Sequence, residues 1–307
     1  MNNSESSDLP DAPNSVDERT HIIALALTQR VGWKLIHRLL EYFGSVEAVL
    51  AANAGELRQV QGIGPQIAAS ICAIDLQTVQ ADLQRFAAQS ITTAVWRDPT
   101  YPARLATIDD KPLTLFWKGS FLPNDTQAIA IVGTREAQPE SIKAAGEWST
   151  AFAQHGWTVV SGLARGIDSA AHQGALQGGG RTLAVLGSGV NEIYPPENQK
   201  LASQIIANGA LISEMHPDTG TLPNALMRRN RLITGLSRAV LVIEAGLDSG
   251  ALYAGRGAYT QGRPVFVLNN SAGNASLLDE FAHLLPDNLD TLLAQIEAYS
   301  TPPNTNV

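Results

Sequence analysis

The sequence predicts an α/β fold: a Rossmann-like, doubly wound, mostly parallel sheet preceded by a small all-helical region. Three observations carry that expectation. Between Ala128 and Leu268, six short apolar, β-rich runs alternate with amphipathic stretches: Ile129–Val132, Thr158–Val160, Leu183–Leu186, Leu211–Ile212, Val240–Ile243 and Val265–Leu268. Near-continuous apolar strands separated by helices signal a parallel sheet covered on both faces. Residues 21–90 instead show apolar positions at helical spacing. At 307 residues, with 44% hydrophobic and 16% charged residues, the chain is long enough for one large domain and a small companion.

Taken in chain order, residues 1–20 are polar and acidic, with no basic residue ahead of an apolar stretch, and are expected to form a disordered leader and not a secretory signal. Helices are expected over His21–Thr28, Trp33–Phe43, Val46–Ala51 and Gln66–Ala73, with breaks at Gly32, Gly44 and Gly62. Within them, the segment from Leu57 to Ala68 has the form of a helix-hairpin-helix, in which Gly62 and Gly64 permit a tight turn before the next helix. Such a hairpin either presents helix N–H groups to a DNA phosphate or simply packs two helices. Cys72, the single cysteine, excludes an internal disulfide and a cysteine-based zinc site and is expected to be a small core hydrophobe.

Residues 96–124 are rich in proline and aromatic side chains and read as a connector, which puts a domain boundary near residue 95. The expected organisation is a helical domain over 21–95, the sheet domain over 96–299 and a polar tail over 300–307. No segment reaches the roughly 18 consecutive apolar residues of a membrane span, so a cytoplasmic protein is expected. The net charge of −8 argues against a surface coated for nucleic acid. Phosphates, however, respond to basic groups within a Debye length of about 8 Å.

In open α/β sheets, ligands bind beyond the carboxyl ends of the strands, so the loops after each run are the candidate sites. The first is Gly133-Thr134-Arg135, followed by a helical segment from Ser141 to His155. Its glycine, hydroxyl and guanidinium suit an anion, although an ordinary strand-to-helix turn would read the same way. The second runs from Ser161 through Gly162, Arg165 and Gly166 to Asp168, which is placed to cap the next helix. Asp168 and His172, four apart, suit cap and core roles, or an acid/base or metal role. After Gly187-Ser188-Gly189 and Tyr194-Pro195-Pro196-Glu197-Asn198 comes Arg228-Arg229-Asn230-Arg231. Three arginines at a helix start add to a positive macrodipole, a tension that an anionic ligand would relieve. Glu244 follows the fifth run, and Ser249-Gly250 opens a further helix.

Taken together in this order, Gly133-Thr134-Arg135, Ser161–His172, Tyr194–Asn198, Arg228–Arg231 with Gly235-Leu236-Ser237, and Ser249-Gly250 resemble the DNA processing protein A (DprA/Smf) family over roughly residues 20–295. The resemblance implies an extended Rossmann domain behind a sterile-alpha-motif-like helical domain. It also implies a protein that binds single-stranded DNA, forms a homodimer and helps load the RecA recombinase during natural transformation. The implied phosphate-binding pocket is lined by Gly133, Thr134, Arg135, Gly162, Arg165, Gly166, Arg229, Asn230, Arg231, Ser249 and Gly250, with no catalytic residue, metal or cofactor.

The sequence departs from the family pattern at Asn269-Asn270, where a Pro-Gly loop is usual, at Leu226-Met227 before the arginines, and at Gly273–Leu278, a loose form of Gly-Asn-x-Leu-Ile. No winged-helix domain is expected after the last helix. A second reading is an enzyme or sensor for a nucleotide-derived small molecule, since related folds include nucleoside-monophosphate phosphoribohydrolases, although their Pro-Gly-Gly-x-Gly-Thr signature is missing. A third is an adaptor with a vestigial pocket. No P-loop and no carboxylate cluster of metal-ligand spacing occurs, which disfavours ATP hydrolysis and nuclease chemistry.

Overall fold

A computed structural model describes residues 16–28 and 30–300. It divides into two compact units. One comprises the chain up to Arg85 with Ala94–Tyr101 and Pro112–Thr114; the other comprises Phe86–Thr93, Pro102–Lys111 and the chain from Leu115 onward. The chain therefore crosses between units several times over residues 85–115, where the sequence suggested one boundary near residue 95.

The first unit begins with helices α1 (Val16–Leu27), α2 (Trp33–Phe43), α3 (Val46–Ala51), α4 (Ala54–Leu57), α5 (Pro65–Cys72) and most of α6 (Leu76–Ala88). Helix α1 starts inside the stretch expected to be a disordered leader; the rest of that leader and residues 301–307 of the tail lie outside the described residues. Each boundary has a local cause. Gly44, at φ 82°, ends α2 in the left-handed region. Ser45 Oγ accepts from Ala48 N at 3.2 Å to start α3, and Asn53 with Glu56 forms a capping box on α4. Ile22, Ile36, Leu39, Val49, Leu57 and Ile71 are fully buried and form this unit's core. Cys72 is exposed, contrary to its expected core position, with Sγ 3.7 Å from the Ala52 carbonyl.

The expected connector contains regular structure. Strand β1 (Ile91–Val95) is followed by α7 (Ala103–Ala106) and by β2 (Thr114–Gly119), whose first four residues are all buried. Proline-rich flanks concealed them. The second unit continues with β3 (Ala128–Val132), α8 (Pro139–Gln154), β4 (Thr158–Ser161), α9 (Ile167–Gln177), β5 (Thr182–Val185), α10 (Gln199–Asn208) and β6 (Gly209–Ser213). It closes with α11 (Pro223–Arg228), α12 (Asn230–Leu236), β7 (Ala239–Val242), α13 (Gly250–Thr260), β8 (Val265–Val267), α14 (Ala272–Glu280), β9 (His283–Leu284) and α15 (Leu289–Ser300).

The sheet runs β1-β2-β6-β5-β4-β3-β7-β8-β9. All pairs from β6 to β9 are parallel, and β2 lies antiparallel on β6. Strands β3–β8 are buried along their whole length, as expected of a sheet covered on both faces. One core layer gathers Phe152, Trp157, Phe266, Leu292 and Ile296. Under it α8 and α9 cross in backbone contact: a Cβ on Gly174 would overlap the Gly146 carbonyl, and Thr150 Oγ1 donates to the Gly174 carbonyl at 2.9 Å. From β3 the chain steps outward through β4, β5 and β6, then returns to the other side of β3 for β7 and β8. The reversal opens a crevice at the carboxyl ends of β3 and β7, the position where open α/β sheets take ligands.

Candidate functional site

The turns after β3, β4 and β7 and the start of α12 meet at this edge. Thr134 N donates to the Glu244 carbonyl at 2.8 Å, which ties the first turn to the end of β7. Gly133 is pressed so closely against Ile167 that a side chain would overlap it. Arg135 projects from this turn into solvent and has no ion pair among the described residues. Helix α8 starts at Pro139, earlier than the expected Ser141, and Gln138 N donates to Glu244 Oε2 at 3.0 Å.

The turn after β4 is held from all sides. Leu163 and Gly166 both have positive φ, 59° and 71°. A Cβ on Gly166 would lie 2.5 Å from the Thr134 carbonyl oxygen, so only glycine allows the two turns to touch. Asn198 Nδ2 donates to the Leu163 carbonyl at 2.8 Å and to Ser169 Oγ at 2.9 Å. The segment Tyr194–Asn198, which the sequence singled out without a role, thus clamps this loop. The N-cap of α9 is Gly166, not Asp168 as expected. Asp168 stands in the first turn, two residues after the cap, where its carboxylate accepts from Ala164 N at 3.3 Å. Arg165 is exposed and pairs with the exposed Glu197, which raises the guanidinium pKa and lowers that of the carboxyl.

The arginine cluster departs most from expectation. Arg229 was expected to face a phosphate, yet only 6% of the residue is accessible. Its Nη1 donates to the carbonyls of Gly162 and Val185, its Nε donates to Asn230 Oδ1 at 3.0 Å, and its Nη2 lies 3.7 Å from Asp168 Oδ2. Gly162 leaves the space that this guanidinium fills. Burial pushes the Asp168 carboxyl pKa up, opposed by Arg229, and burial pulls the Arg229 pKa down. Arg231 pairs with Asp110 at 3.1 Å and with Glu214, so its charge is also matched internally. Arg228 closes α11, the end of a helix that favours a cation, and remains exposed. The tension expected of three arginines at one helix start is therefore relieved by Asp168, Glu214 and Asp110 and needs no ligand.

Asn230 Nδ2 donates to the Gly250 carbonyl at 3.0 Å and so links α12 to the start of α13. Ser249 caps α13 through Leu252 N at 3.2 Å, while the N–H groups of Gly250 and Ala251 make no hydrogen bond among the described residues. Thr134 is half-buried, with its hydroxyl accepting weakly from Glu136 N at 3.4 Å. His172 is fully buried. Its Nδ1 meets Thr182 Oγ1 at 2.7 Å, its Nε2 has no partner, and burial together with Arg229 lowers its pKa to about 3. It is a neutral core residue here, and no group of His, Cys, Asp or Glu among the described residues could hold a metal.

The eleven expected residues therefore separate. Arg135 and Arg165 are exposed at this edge, and Thr134, Ser249 and Gly250 are half-buried there; Gly133, Gly162, Gly166, Arg229, Asn230 and Arg231 pack against or bond to neighbouring segments. Sequence reasoning gave no role to Asn198 or to Asn274. The latter is fully buried, and its Nδ2 donates to the carbonyls of Val242 at 3.1 Å and Ile243 at 3.0 Å, which fixes the end of β7. A buried asparagine beside an invading glycine was legible in Gly273-Asn274 only as a motif.

A family described as DNA recombination-mediator protein A matches residues 92–297, and a helix-hairpin-helix motif matches residues 22–74. Protein Smf of Synechocystis is 37% identical over 83% of this chain; the chain spans 65% of that relative's length. The crystal structure of DNA processing protein A from Streptococcus pneumoniae superposes with a TM-score of 0.76 at 29% identity, covering 91% of this chain and 98% of that one. DNA processing protein A from Helicobacter pylori, described for its single-stranded DNA binding mode, superposes with a TM-score of 0.61 at 29% identity, covering 68% and 96%. No helix among the described residues is long and apolar enough to cross a membrane.

Proposed function

Because this chain belongs to the DNA recombination-mediator protein A family of DNA processing proteins, we propose that it binds single-stranded DNA through the phosphate backbone at the crevice between β3 and β7. The observation that carries this reading is Arg135, an exposed cation with no ion pair among the described residues, held at the switch point by a closely packed turn. After β7, the strand paired with β3, the N–H groups of Gly250 and Ala251, without a hydrogen bond among the described residues, open an eleven-residue helix, where the macrodipole favours an anion. Arg165 and Arg228 extend the positive rim; a phosphate at Arg165 would compete with Glu197. Arg229, Asn230, Arg231 and the glycines act by holding this frame and do not touch the strand.

Binding without catalysis fits the acidic groups at the same edge, which are engaged: Asp168 with Arg229 and Ala164 N, Glu244 with Gln138 N. Backbone capture of this kind tolerates any base sequence. The wider reading is a cytoplasmic homodimer that helps load RecA onto DNA during uptake and recombination, and it rests on the family alone.

Titration of the full chain with oligo-dT of increasing length, against duplex DNA and nucleoside monophosphates, tests the proposal. Affinity should rise with length and fall steeply with salt. Equal affinity for a mononucleotide and a long oligonucleotide would instead support a small-molecule site.

A further inference from the structure

At the other end of the sheet, where β3, β7 and β8 begin, three arginines lie within electrostatic reach of one another, and none has a carboxylate partner among the described residues. Arg238 and Arg263 stand just before β7 and β8. The registers Val240↔Val265 and Ile129↔Ala239, continued backward, set Arg238 beside Arg263 and beside Ala128. Arg238 N donates to the Ala128 carbonyl at 2.8 Å, and its guanidinium lies 5.3 Å from the Trp157 ring centre. Arg104, on α7, donates from Nε to the Thr126 carbonyl at 2.8 Å; Arg263 Nη2 donates to Thr107 Oγ1 at 3.1 Å, one turn beyond Arg104.

All three residues are half-buried, none has an ion pair among the described residues, and the Nε atoms of Arg238 and Arg263 are buried without a hydrogen-bond partner. The other buried or half-buried arginines of this unit have acids: Arg181 has Asp125, Arg229 has Asp168, Arg231 has Asp110 and Glu214, and Arg256 has Glu280. In a chain with a net charge of −8, three converging guanidinium groups that lack an acid are an exception that asks for an external anion.

We propose that Arg104, Arg238 and Arg263 form a phosphate-binding site at the amino edge of the sheet, separate from the crevice between β3 and β7. Guanidinium groups take a phosphate by paired, charge-assisted hydrogen bonds, and three of them match a multiply charged phosphate better than one carboxylate. Burial and the repulsion of Arg263 and Arg238 already lower the Arg104 pKa to about 10, a penalty that a bound anion removes. The phosphate is either free, as in inorganic phosphate or a nucleotide, or part of a nucleic-acid strand.

Isothermal titration of the full chain with sodium pyrophosphate, against sodium chloride of equal ionic strength, tests this. Saturable binding is expected, weakened about tenfold or more in Arg263→Gln and in Arg104→Gln, as the loss of one charge-assisted contact implies. In the Arg135→Ala background, which removes the crevice contact at the other edge, saturable binding and the same loss on Arg263→Gln are expected to persist. No saturable binding to the unaltered chain overturns the proposal, whatever the variants do. Binding that Arg135→Ala weakens and Arg263→Gln does not, or equal binding of a polyglutamate, overturns it too. Where pyrophosphate binding falls in Arg263→Gln, a parallel fall with long oligo-dT assigns the phosphate to a strand, and unchanged oligo-dT affinity assigns it to a free phosphate or nucleotide.

Discussion

The turns after β3 and β4 begin alike, each with a glycine followed within three residues by an arginine, and they leave the same edge of adjacent parallel strands. Their surroundings differ. Arg135 in the first turn stands in solvent without an ion pair among the described residues, whereas the second turn is gripped by Arg229, Asn198 and Asp168, and its own Arg165 is held by Glu197. The comparison teaches that one turn displays charge and the other supports it. A glycine-arginine pattern at a strand end does not distinguish the two; the acids and carbonyls brought in by distant segments do.

The sharpest way to break this comparison is to remove the support. Arg229→Ala leaves Asp168 buried without its cation and the Gly162 and Val185 carbonyls short of a donor, which should cost about 3–5 kcal/mol of stability. Urea unfolding of the variant measures it, and a stability within experimental error of the parent with a specific loss of DNA binding would return Arg229 to the strand-facing set.

Acid probes the same support more gently. His172 is neutral in the fold with a pKa near 3, whereas in the unfolded chain it protonates near 6.5. Between these values the unfolded chain binds more protons, so the contribution is fully present above about pH 6.5 and is lost as pH falls toward 3. A loss of roughly 2 kcal/mol is expected between about pH 6.5 and pH 5. His172→Gln should flatten that part of the curve, and an identical slope in parent and variant would place the acid sensitivity elsewhere.

The displaying turn should give the smallest effect on folding and the cleanest effect on binding. Arg135→Ala is expected to change stability by no more than about 0.5 kcal/mol while lowering the salt slope for a long oligo-dT by about 0.7, one phosphate contact on a single strand. Fluorescence titration at several salt concentrations reads the slope. A variant that unfolds, or one that binds with an unaltered slope, would make Arg135 a structural residue like Arg229.

The six strands of the parallel core were legible because each is apolar along most of its length, and the doubly wound order follows from strands alternating with helices. Strand β2 was hidden because it follows a proline-rich stretch and is closed by Lys118 and Gly119. Helix α6 fell within the region read as helical but was not delimited, because its mean hydropathy along Leu76–Ala88 is near neutral. At the site, spacing identified which segments meet, since glycine and hydroxyl residues after apolar runs are local features. It did not show which arginine faces water: Arg229 and Arg231 are matched by Asp168, Asp110 and Glu214, residues 17 to 121 positions away in sequence.

The contact of α8 with α9 at Gly146 and Gly174 has a thermodynamic consequence for whatever binds above it. Two helices that touch backbone to backbone cannot roll or slide past one another without opening a void, so they move as a single stiff body. The turns at residues 133–138 and 161–166 lead directly into these two helices. Their separation is therefore set when the protein folds, and the entropy of arranging two anchoring points is not lost again each time a ligand arrives.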